Sequence, residues 1–166
     1  MTPRLLIGLG NPLAGDDGVG CELARRLRPD QRLPPDVEVL EGGTDLLRLA
    51  PWLRGRTHVV LVDAVLDPGP PGRLLLFEGE LRELDDTGGS VHHLPPVQAL
   101  RLLRFVDPAI HDVAITFAGV TVAGARISHR ISPALEDRLP ALTDELVALL
   151  SARTSGSAAA GDPATA

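Results

Sequence analysis

The chain is predicted to be an α/β protein: a three-layer α/β/α sandwich around a mixed, twisted, five-stranded sheet whose fourth strand runs antiparallel. Three observations predict it. Apolar runs of strand length alternate with helix-patterned segments through most of the 166 residues, the pattern of a mainly parallel sheet covered on both faces. A glycine-rich loop joins the first strand to the first helix. One link between strands is too short and too rich in proline to hold a crossover.

The first strand is expected over residues 4–10, around Leu5-Leu6-Ile7. It runs into Gly8-Leu9-Gly10-Asn11-Pro12-Leu13-Ala14-Gly15-Asp16-Asp17-Gly18-Val19-Gly20. Glycine permits positive φ and close backbone approach, at an entropic cost on folding. Five glycines with two adjacent carboxylates therefore mark a loop that something must approach closely. A helix over 18–28 follows, then a strand over 37–41 that ends in Glu41-Gly42-Gly43-Thr44. Thr44 is a suitable cap for a helix over 44–53.

The most apolar run gives a strand over 58–64, with Asp63 near its end. The link after it, Val65-Leu66-Asp67-Pro68-Gly69-Pro70-Pro71-Gly72, cannot contain a helix. A parallel return needs about a dozen residues or more, so the strand over 73–78 must turn back antiparallel. The loop Gly88-Gly89-Ser90-Val91-His92-His93 precedes a helix over 97–106 and a strand over 112–119. The closing helix is expected over 133–152, with Ser132 as cap and Pro133 in the first turn. Its leucines at 135, 139, 142, 146, 149 and 150 form a core-facing stripe. One domain thus spans 1–152, and residues 153–166, without large apolar side chains, are expected to form a disordered tail.

The formal net charge of −6 and the lack of a basic cluster argue against nucleic-acid binding, which needs a cationic footprint. A single cysteine, Cys21, excludes an internal disulfide and a multi-cysteine zinc site; it is taken as a packing residue. No apolar stretch approaches the roughly 20 residues of a membrane span. The apolar start runs into a glycine loop instead of a cleavage site, so a cytoplasmic protein without a membrane association is expected.

Asp16 and Asp17 either solvate and cap the turn that carries them or face a ligand. A dinucleotide fingerprint is incomplete, because Leu13 occupies the position of its third glycine. Asp63 ends a buried strand at the sheet edge where open α/β folds bind ligands. That edge is close to water, so burial is expected to perturb its acidity little. With Asp17 and Asp63, one imidazole of the His92-His93 pair would complete a set of two carboxylates and one histidine. Such donors suit nickel, zinc, iron or manganese alike. Glu41 would bring a third acid to the same edge, although a plain left-handed turn explains its glycines equally well. No Gly-x-Ser-x-Gly elbow for a serine nucleophile is present.

Taken together, these motifs resemble a known family. Gly-x-Gly-Asn-Pro-x-x-Gly-Asp-Asp-Gly-x-Gly is similar to the signature of the [NiFe]-hydrogenase maturation endopeptidases. Glu41-Gly42-Gly43-Thr44, Val62-Asp63-Ala64, Ser90-Val91-His92-His93-Leu94 and Phe117-Ala118-Gly119-Val120 match it further, in order. The resemblance implies a phosphorylase/hydrolase-like fold, with the fourth strand at the sheet edge beside the fifth. It implies a monomeric metal-dependent hydrolase that removes a C-terminal extension from the hydrogenase large-subunit precursor once nickel is inserted. The metal ligands it implies are Asp17, Asp63 and His92. His92 is chosen over His93 because the family histidine precedes one variable and then one apolar residue. The nickel is the precursor's own, held weakly or not at all by the isolated protein. Gly10, Asn11 and Asp16 would form the substrate-facing loop, and Asp17 or Glu41 would be the acid or base. Two positions depart from the family pattern: some members carry glutamate at Asp17, and many carry aspartate at Glu41.

Two other readings share these features. A non-catalytic maturation chaperone could use the same pocket to sense nickel on its client. Peptidyl-tRNA hydrolase also opens with a strand and Gly-Leu-Gly-Asn-Pro, but it continues with a tyrosine, which this chain lacks throughout.

Overall fold

The computed structural model describes residues 2–78, 96–124 and 128–152. Its centre is a five-stranded sheet in the order β2-β1-β3-β5-β4, built from β1 (Arg4–Leu9), β2 (Val37–Gly43), β3 (His58–Leu66), β4 (Leu74–Glu78) and β5 (Ala114–Val122). Strands β2, β1, β3 and β5 pair in parallel, and β4 pairs antiparallel to β5 at the edge. The expected topology is the observed one. The short link explains it: the Gly72 N–H donates to the Thr121 carbonyl at 2.8 Å, and Asp67 accepts from Gly69 N–H and from the Arg73 guanidinium, both at 2.7 Å.

Side-chain alternation along the strands divides the core into two layers. Leu6, Val60, Val62, Ala118 and Val120 pack beneath α1 (Val19–Leu27) and α6 (Leu139–Ala152). On the other face, Leu5, Ile7, Val59, Leu61, Ile115 and Phe117 pack with Leu53 of α2 (Ala50–Leu53) and with Leu100 and Leu103 of α3 (Pro96–Val106). Complete burial of a leucine or isoleucine stabilises by about 1.5–3 kcal/mol, and each layer contains several.

Three elements differ from expectation. The helix expected over 44–53 begins as a 3-10 turn, Leu46–Leu49, before α2, and Asp45 caps it in place of Thr44, accepting from Leu47 N–H at 3.0 Å. A short α4 (Pro108–His111) was not foreseen; Asp107 caps it and Pro108 stands in its first turn. The closing helix is divided into α5 (Pro133–Glu136) and α6. Pro140 has no N–H for the Glu136 carbonyl, and its ring crowds that oxygen. The leucine stripe survives the break, because Leu135, Leu139, Leu142, Leu146 and Leu150 are all buried. Residues 153–166 lie outside the described residues.

Candidate active site

The site lies where β1 stops and β3 continues. The last β1–β3 pair is Gly8 with Val62, while Asp63 still pairs with Gly119 of β5. Asp63 is therefore the first β3 residue beyond the pairing with β1. The chain leaves β1 through Gly10, whose φ of +116° suits glycine, and a Cβ there would collide with the Asp17 carbonyl oxygen. Gly10 N–H donates to the Gly43 carbonyl at 2.9 Å, which ties the loop to the end of β2. Asn11 accepts from Leu13 N–H at 3.0 Å and closes an Asx turn. The loop then enters a 3-10 turn, Gly15–Gly18, packed against β3.

This fold-back fixes Asp17. Its Oδ2 accepts from Asn11 N–H at 2.9 Å, so the carboxylate is held by the start of its own loop instead of capping α1. Asp63 accepts from Ala64 N–H at 2.8 Å through Oδ1. Among the described residues, each carboxylate keeps its second oxygen without a hydrogen-bond partner. Burial, with a smaller contribution from the negative charge of Asp17, pushes the pKa of Asp63 from 3.8 up to about 7, against the lowering effect of the Ala64 N–H bond. The expectation that nearness to water would leave Asp63 little perturbed is thus corrected. The residue is half-buried, and the desolvation of its carboxylate disfavours the charged form.

Asp16 points elsewhere. Its carboxylate accepts from Ser132 N–H at 2.6 Å and from the Ser132 hydroxyl at 2.8 Å. Ser132 occupies the N-cap of α5 as expected, but its hydroxyl serves Asp16 and makes no capping bond. Gly15 N–H donates to the Ser128 carbonyl at 2.7 Å in the same junction. Local sequence gave no signal of this partnership, because 116 residues separate its members.

Glu41 is held on the α1 side by Arg25 at 3.0 Å and by Arg28 at 3.6 Å. Cys21 is buried beneath the loop, with Sγ 3.4 Å from the Gly8 and Gly10 carbonyls. Burial raises its thiol pKa, and the charges of Glu41 and Asp63 add to the effect, so it is poorly suited as a nucleophile. The structure thus brings Asp17 and Asp63 to one rim. His92 and His93 lie outside the described residues. Among those described, no three side chains of histidine, cysteine, aspartate or glutamate form a metal-binding group.

Several solved structures share this fold. The hydrogenase maturating endopeptidase HybD of Escherichia coli superposes with a TM-score of 0.74 at 26% identity, over 92% of this chain and 93% of that one. The [NiFe] hydrogenase maturation protease HybD of Thermococcus kodakarensis gives 0.73 at 29% identity, over 89% of this chain and 98% of that one. The chain is also 30% identical to the hydrogenase 2 maturation protease of Escherichia coli K12 over 148 residues, 87% of this chain and 89% of that protein. The model of the hydrogenase maturation protease family matches residues 21–149. The chain belongs to the hydrogenase maturation protease family, and its class is hydrolase.

Proposed function

We propose that this protein removes the C-terminal extension of a [NiFe]-hydrogenase large-subunit precursor after nickel insertion, and that it recognises the nickel which the precursor carries. Asp17, Asp63 and His92 supply the ligands that the precursor leaves open, so binding is conditional on nickel loading. The observation that carries the reading is the carboxylate pair. Two acids face one rim, one of them disfavoured as an anion by burial and by its neighbour, and each has a spare oxygen. A divalent cation between them offsets both penalties. Oxygen donors with one imidazole are compatible with nickel.

When bound, the metal supplies an electrophile for the scissile carbonyl or an acidified water. The chain's own residues position the cut: the loop through Gly10 and Asn11 holds Asp17, and Asp16 anchors that loop to α5. Glu41 is engaged by two arginines on the α1 side. The client and the reaction are those implied by the family, and the setting is cytoplasmic.

Purified protein mixed with nickel-loaded precursor should give a precursor of lower mass, with the loss at its C-terminus. Retention of full mass would favour the nickel-sensing chaperone instead. Replacing the proposed imidazole, His92→Ala, should abolish processing while His93→Ala leaves most of it. A His92→Ala protein cutting at near the wild-type rate overturns the ligand assignment.

A further inference from the structure

The sheet carries a short free edge beside the carboxylate pair. β3 pairs with β5 along its whole length, from His58 with Ala114 to Leu66 with Val122, but with β1 only as far as Val62. β1 itself stays with β2 past that point: Leu9 pairs with Gly43, and Gly10 N–H donates to the Gly43 carbonyl. Residues 63–66 of β3 therefore overhang, with no strand on the β1 side among the described residues.

Successive residues of a strand turn their N–H and C=O groups to opposite neighbours. Around β3 the odd-numbered residues serve β5. The Thr57 carbonyl accepts from Ala114 N–H at 3.1 Å, and Asp67 N–H donates to the Val122 carbonyl at 3.2 Å. Ala64 and Leu66 thus present their groups on the open side. Ala64 N–H is taken by the side chain of its own neighbour, Asp63, at 2.8 Å. Among the described residues, the Ala64 carbonyl and both backbone groups of Leu66 have no hydrogen-bond partner. Leu66 is 52% exposed, so the tip of the overhang reaches solvent. An acceptor on one residue and a donor two residues on is what a strand offers to a parallel neighbour. An antiparallel neighbour exchanges both bonds with a single residue, and at Ala64 the donor is already committed.

We propose that this overhang docks the substrate's C-terminal extension as an added parallel strand, one residue of which donates to the Ala64 carbonyl and accepts from Leu66 N–H. The inference rests on the protease reading and adds the direction in which the substrate lies. The docked residue stands opposite Val65, roughly 7 Å along the strand from Asp63 at about 3.3 Å per residue. The substrate chain before it passes the Asp17–Asp63 rim, where the cut falls, and the extension runs outward past Leu66. Main-chain pairing of this kind supplies affinity while tolerating varied side chains.

Two measurements test it. Leu66→Pro removes the docking N–H and leaves the β5 pairing intact, because that N–H faces away from β5. In cleavage of nickel-loaded precursor it should raise KM about fivefold at unchanged kcat, the worth of one hydrogen bond. Leu66→Ala, which keeps the N–H, should stay within about twofold of wild type. KM unmoved by Leu66→Pro, or raised equally by Leu66→Ala, overturns the docking edge and leaves the protease reading standing. The second measurement needs no variant: a synthetic peptide copying the extension is titrated into isotope-labelled wild-type protein. Hydrogen exchange of the Leu66 amide, followed by NMR, should slow about tenfold at saturation; an unchanged rate overturns the proposal. Protection of Leu66 in a protein that cuts no precursor upholds the docking edge and overturns the protease reading.

Discussion

Asp63 is the residue on which the electrochemistry of the site depends. Its folded-state acidity lies near 7 against an ordinary 3.8, so the folded protein holds a proton that the unfolded chain releases. That proton favours the fold fully below about pH 4, and the contribution is lost as pH rises through about 7. Stability measured by thermal melts should therefore fall across this window, and Asp63→Asn should flatten the fall; an unchanged profile would contradict the assigned burial. The same proton competes with a cation. Nickel-dependent binding of precursor, measured by co-purification, should weaken as pH drops below about 7. The sequence placed Asp63 near the end of a strand over 58–64, but β3 runs on to Leu66; what was legible is that Asp63 closes the apolar run, and its acidity was not. The 3-10 turn of the glycine loop packs against β3, a contact that neither segment encodes alone.

At the scale of elements, the close seat of α1 on the sheet depends on glycine. A Cβ at Gly20 would collide with the Leu9 and Val62 carbonyl oxygens, backbone atoms that cannot step aside. Gly20→Ala should cost about 1–3 kcal/mol, the range for overpacking a core, read as a lower denaturant midpoint. The junction between loop and α5 is a second dependence. Asp16→Ala removes two hydrogen bonds to a carboxylate and leaves the Ser132 N–H without its partner. It should cost about 2 kcal/mol, whereas Ser132→Ala, which keeps the N–H bond, should cost clearly less. Alternating apolar runs and the eight-residue Pro/Gly link were enough to derive all five strands and the reversal of the fourth, whose place at the sheet edge came from the family resemblance. The Asp16–Ser132 contact was hidden by its long separation, and the break before α6 by a leucine stripe that continues through Pro140.

Across the whole molecule, the two ends of the sheet have opposite character. At the amino end, Arg4 pairs with Asp36 at 2.6 Å and donates to the Leu150 carbonyl, while Arg56 pairs with Glu38 at 2.6 Å. Charge there is matched, and it ties α6 and β3 to the sheet. At the carboxyl end, Asp17 and Asp63 are close enough for their charges to interact, and among the described residues neither pairs with a cation. No described helix is long and apolar enough to cross a membrane. An excess of negative charge at one rim, offset by an ion arriving on another protein, is the central claim. The most direct test compares nickel-loaded with nickel-free precursor by intact-mass spectrometry, using the wild-type protein and Asp63→Asn in parallel. The account predicts C-terminal mass loss only for the loaded precursor with the wild-type protein. Equal loss from the nickel-free precursor, or wild-type cleavage by Asp63→Asn, would contradict it.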